Sequence, residues 1–194
     1  MSNSNSSSSD LRQQQWLRLY YYMRAAFSVL WVVAAFTLGQ HAPVLAAILL
    51  VAYPAWDALA NYVDASRSGG LRDNRTQAIN VVVSIATAVA VLLALQESMN
   101  WVLGVFGAWA ILSGLLQLGT AINRWKRFGA QWAMVLSGAQ SALAGMFFIA
   151  QAGQPDTPSI SNVAGYAGVG ALYFLISAIW LSVSELRGKA ARPS

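Results

Sequence analysis

One carboxylate in the middle of an apolar run is the group of this chain best placed to do chemistry. Asp57 lies fourteen positions past Pro43, about 21 Å along a helix that begins there. Tyr53, Asp57, Asn61 and Asp64 are spaced four, four and three apart, so they share one helix face. A carboxylate in hydrocarbon is costly unless it faces a bundle interior, is paired, or carries a proton. Two roles follow. Paired with Arg24 or Arg75, Asp57 locks neighbouring helices together; kept from positive charge, it could bind a proton or line the path of a small substrate. The residues alone leave both open.

Other chemistry has little to draw on. The chain has no Cys, which removes disulfides, thiolate nucleophiles and Cys metal sites. A single His, His41, sits in a short turn beside Pro43, and one imidazole is not a metal site. It cannot join a Ser–His–Asp arrangement with Asp57, because the two lie toward opposite ends of the second apolar run. Bis-His haem ligation cannot be built within one chain, and no HExxH, phosphate loop or dinucleotide fingerprint occurs. The expectation is a protein that is not an enzyme, with no catalytic residues, no metal and no cofactor.

Further polar stripes run along other apolar segments: Asn80, Ser84 and Thr87; Ser113, Gln117 and Thr120; Ser137, Gln140 and Ser141. Together they could line a small polar cavity open to the cytoplasm. Ser and Thr can equally bond their own helix carbonyls, and Gln or Asn can cross-link helices for about 1 kcal/mol. Small residues four apart (Gly104/Ala108, Ala110/Gly114, Gly138/Ala142, Ser141/Gly145) permit close helix approach.

The elements that position these residues are membrane spans. Of 194 residues, 57% are hydrophobic and only 10% charged, against roughly 25% charged in an average soluble domain. The twelve Lys and Arg fall in four stretches: the N-terminal arm, 66–75, 124–127 and the C-terminal tail. The alternate connections, near Gln40–His41, Gln96–Asn100 and Gln151–Ser161, carry none. That alternation predicts six spans with both termini cytoplasmic. It also accounts for the +5 formal charge as anchors facing anionic lipid, with no nucleic-acid partner required.

The spans read as Met23–Gly39, extending back toward Trp16, then Pro43–Tyr62, Ala78–Leu95, Trp101–Ile122, Gln131–Ile149 and Val163–Val183. The uncharged part of span 1, Ala25–Gly39, is only 15 residues, about 22 Å, so Arg24 must snorkel. Pro54 is expected to kink span 2. Residues 1–15 read as a disordered polar tail, 16–185 as the six-span domain and 186–194 as a cytoplasmic tail. The first apolar run is expected to be a retained span, since no small-residue processing site follows it.

The second helix of each hairpin opens alike: Tyr53-Pro54-Ala55-Trp56, Phe106-Gly107-Ala108-Trp109 and Tyr166-Ala167-Gly168-Val169, at offsets of 53 and 60. These read as three parallel-repeat hairpins. With the run Trp109-Ala110-Ile111-Leu112-Ser113-Gly114-Leu115-Leu116-Gln117-Leu118, the chain resembles HdeD-type proteins built from the DUF308 repeat over roughly residues 20–185. Asp57-Ala58 stands where family repeats often carry Asp-Gly or Ser-Gly.

The resemblance implies a small six-span bacterial inner-membrane protein, one relative of which is linked to acid resistance at high cell density. It supplies no catalytic residues. The expected fold is all-α and polytopic, its partner the lipid bilayer, with homo-oligomers formed through Ala/Gly faces. The expected function is a non-enzymatic role in stress or acid tolerance; the alternative is a small proton-coupled transporter with Asp57 as its titrating residue.

Overall fold

The computed structural model describes residues 3–124 and 131–190. Six helices account for nearly all of them: α1 (Asn3–Ala34), α2 (Pro43–Arg67), α3 (Arg75–Glu97), α4 (Met99–Arg124), α5 (Gln131–Ala152) and α6 (Ile160–Ala190). Each contains a stretch long and apolar enough to cross a membrane, and only 28% to 39% of those stretches is buried inside the bundle. The remainder presents Leu30, Val44, Val82, Ile122 and similar side chains outward. A continuous apolar exterior of this extent belongs in lipid, since soluble monomers rarely expose such patches. The chain is an all-α polytopic membrane protein.

Local sequence explains most helix ends. Pro43 opens α2 in the first turn, where its missing N–H costs nothing. Gly69 and Gly70, at φ +104° and +93°, turn the chain back toward α3 in a conformation other residues rarely adopt. Asn74 Nδ2 closes that loop by donating to the carbonyls of Ser68 and Gly70 at 2.8 and 2.9 Å. At the opposite end, Asn100 Nδ2 donates to the Gln154 carbonyl at 3.0 Å and ties the first turn of α4 to the loop after α5.

Several boundaries differ from the sequence reading. Residues 3–15, expected as a disordered tail, are helical and continuous with span 1; once a helix is nucleated, each added residue gains a backbone bond. Span 1 ends in a π-helical turn, Ala35–Gly39, in which the Thr37 hydroxyl donates to the Val33 carbonyl at 2.7 Å. α2 runs unbroken through Pro54. Trp31 Nε1 on α1 donates to the Leu49 carbonyl at 2.7 Å, one residue before the carbonyl that Pro54 leaves without its helical donor. The basic residues Lys126 and Arg127, with Trp125, lie outside the described residues, as does the end of the C-terminal tail.

The helices close into a ring. α4 packs most extensively on α5, α1 on α6, and α2 on α3, with α3 against α4 next. These close pairs are offset by one helix from the sequence hairpins. α1 and α2 approach each other little along their backbones and meet through large rings: Phe27 stacks on Trp56 at 4.4 Å and Trp31 lies 4.7 Å from Tyr53.

The α4–α5 seam is the reverse case. A Cβ on Gly114 would stand 2.5 Å from the Gly138 carbonyl oxygen, and one on Gly145 would stand 2.5 Å from that of Gly107. Two facing pairs of glycines, seven residues apart on each helix, therefore set how closely these helices approach.

Candidate functional site

The ring encloses a cavity of about 80 Å³ whose wall takes residues from all six helices. At ~30 Å³ per water, as in the liquid, it has room for roughly three waters. Along the bundle axis it lies between two apolar clusters. One, around Trp31, Leu50, Leu103, Phe106 and Val163, fills the end that carries the loops at 40–42 and 153–159. The other, around Leu17, Tyr21, Ala60, Met134 and Leu181, lies toward the end with the basic 66–75 loop.

The second cluster contains no residue of α3. In that sector the cavity wall continues through polar Thr76 and Gln77, at the very start of α3. The polar interior therefore reaches the basic-loop end on its α3 side and stops at aromatic side chains on the other.

Of the expected site residues, Tyr53, Asp57, Asn61 and Asp64 all line this cavity, as one face of α2. Asp57 is 5% exposed and Asp64 1%. Arg24 on α1 meets Asp57 as an ion pair through Nη2 and Oδ1. The other carboxylate oxygen accepts from Ser84 Oγ at 2.8 Å and from Asn61 Nδ2 at 3.0 Å. Ser84 in turn accepts from Trp109 Nε1 at 3.0 Å. Arg24 also donates to the Tyr20 hydroxyl at 3.0 Å and lies over the Phe174 ring at 4.5 Å. The network thus links α1, α2, α3 and α4, with α6 supplying an aromatic face. Arg75, the other expected charge partner, is exposed at the start of α3 and is not part of the wall.

Asp64 anchors a second set. Its Oδ1 accepts from Trp16 Nε1 of α1 at 3.0 Å, and its Oδ2 accepts from Gln77 Nε2 of α3. Arg67 lies over the Trp16 ring at 4.5 Å. Where an α3 contribution to the apolar seal is missing, a hydrogen-bonded clasp stands instead.

The polar stripes divide. Asn80, Ser113, Gln117, Thr120, Ser137 and Gln140 reach the cavity, as does Ser141. Ser113 donates to Asn80 at 3.0 Å, and Ser141 shares a 2.6 Å hydrogen bond with the Tyr166 hydroxyl. Thr87 bonds its own Val83 carbonyl at 2.8 Å and faces elsewhere.

Sequence reasoning missed Trp16, Gln77, Trp109 and Tyr166. In the sequence Trp16 marks only how far span 1 extends back, and Gln77 falls just before the expected start of span 3. Tyr53 and Tyr166, aligned with each other in the sequence reading, both line the cavity.

Chemically the wall can bind and orient a guest through its hydrogen-bonding groups. His41 lies exposed in the turn before α2, at the opposite end from the clasp. Among the described residues no three His, Cys, Asp or Glu side chains gather as a metal site.

Residues 79–150 match the model of a family described as a short repeat of unknown function, DUF308. The chain therefore contains a DUF308 repeat, covering most of α3, all of α4 and nearly all of α5, including the glycine seam. No curated protein and no solved structure matches the chain.

Proposed function

We propose that this chain is a non-enzymatic, HdeD-like protein of the bacterial inner membrane, and that its bundle holds a small polar chamber through which a small solute passes. The observation that carries this is the cavity itself, with wall residues from every helix. In hydrocarbon, polar side chains are retained where they face an interior that uses them. The cytoplasm is assigned to the end with the 66–75 loop and both chain ends, because basic residues flank spans on that side.

On this reading Asp57 is a structural group. Arg24, Ser84 and Asn61 all donate to it, which suits an anion held in place. A second reading, in which Asp57 carries a proton in coupled transport, draws support from its position in the chamber wall. Flux into reconstituted vesicles, wild type against Asp57→Asn across external pH, separates the two. Solute flux that ignores external pH supports the structural role; pH-dependent flux that Asp57→Asn abolishes supports the carrier. Equal leakage through protein-containing and protein-free vesicles would overturn both.

A role in stress or acid tolerance is the physiological setting that the DUF308 repeat and the HdeD resemblance support. Its test is survival of cells lacking the protein after acid challenge, with and without the gene restored.

A further inference from the structure

We infer that the solute accepted by the chamber is small, uncharged and rich in hydrogen-bonding groups, of the urea or glycerol class. This rests on the reading of the cavity as a solute site and names what that site selects.

Charge is the first ground. The ionised groups in the wall are Arg24, Asp57 and Asp64. Arg24 and Asp57 neutralise each other, and Asp64 already accepts from Trp16 and Gln77. An anion meets two carboxylates, and a cation finds Asp57 already paired with Arg24 and both Asp64 oxygens already engaged by N–H donors. Either guest must break such contacts to replace the hydration it sheds. An uncharged guest gives up only hydrogen bonds, which polar walls can return.

The second ground is the supply of those bonds. Trp56 lines the chamber, and its Nε1 is enclosed with no hydrogen-bond partner among the described residues. A buried N–H of this kind calls for an acceptor, supplied by water or by a guest. Gln117 and Gln140, also in the wall, carry carboxamides that each offer donors and an acceptor. A urea carbonyl can accept from the Trp56 N–H while its amino groups donate to a Gln oxygen. Size agrees, since room for roughly three waters is room for a guest about the size of urea.

Urea and guanidinium have nearly the same shape and differ in charge, so together they test the claim. Uptake of each is followed by light scattering in vesicles containing the purified protein and in protein-free vesicles of the same lipid. The expected result is urea uptake several-fold above the protein-free rate, with guanidinium at that rate. Trp56→Phe, which keeps a ring against Phe27, and Gln117→Leu should each return urea uptake most of the way to background. Folding of each variant is checked by its elution in detergent, and either variant alone suffices.

Accelerated guanidinium uptake, with or without urea, overturns the uncharged class and leaves the chamber as a pathway. Urea uptake unchanged by both substitutions overturns the assignment of these side chains. If neither solute moves faster than in protein-free vesicles, the pathway reading itself falls.

Discussion

Arg24 and Asp57, 33 residues apart on α1 and α2, form a buried ion pair at the centre of the bundle. Their helices scarcely touch along the backbone, so the pair and the rings around it do much of the joining. A charge left alone in such a place is severely destabilising, whereas removing both together is often tolerated. Arg24→Met or Asp57→Leu alone is expected to cost about 3–5 kcal/mol, read as a lower unfolding midpoint in detergent. The double variant is expected to lose less than either single one. Additive losses would mean that the two groups do not depend on each other.

The glycine seam gives a sharper steric expectation. Gly114→Ala and Gly145→Ala place a methyl against a facing carbonyl that backbone alone can move, so each should destabilise by about 1–3 kcal/mol. Gly165, with nothing within 4 Å of its would-be Cβ, serves as control. Gly165→Ala should shift stability by less than about 1 kcal/mol. Equal midpoints for all three variants would contradict the close α4–α5 approach.

The Asp64 clasp should govern access to the chamber. Hydrogen bonds to a charged group contribute about 1.5–3 kcal/mol, so Trp16→Phe or Gln77→Leu should raise the open fraction roughly ten- to hundredfold. Because the chain has no Cys, a Gln117→Cys variant reports this cleanly through its rate of reaction with a small thiosulfonate. A rate unaffected by either clasp substitution would show that the route lies elsewhere.

The membrane-spanning, all-α character was legible because composition and the spacing of apolar runs are local properties. Asp57 was legible only as a carboxylate with two open roles: Arg24, expected to snorkel to the interface, instead turns into the bundle and pairs with it. What joins distant parts of the chain left no such mark. Contact between α1 and α6, with Arg18 paired to Glu185, follows from ring closure. Asp64 finds Trp16 48 residues away, and neither residue type announces the other. The glycine seam repeats every seven residues, so a search for small residues four apart picks out single members and misses the facing pairs. The closest packing crosses from one expected hairpin to the next, because small residues on α4 and α5 let backbones meet while the rings between α1 and α2 hold them apart.

Access to the chamber wall from one side is the measurement that bears most directly on all of this. Gln117→Cys is exposed to a small, membrane-impermeant thiol reagent in sealed vesicles of each orientation, with Ser68→Cys and Gln154→Cys marking the two faces. The expected result is reaction of Gln117→Cys only from the face that labels Ser68→Cys. Reaction only from the Gln154→Cys face, or none from either, would mean that the polar interior does not open where the α3 sector of the seal is missing.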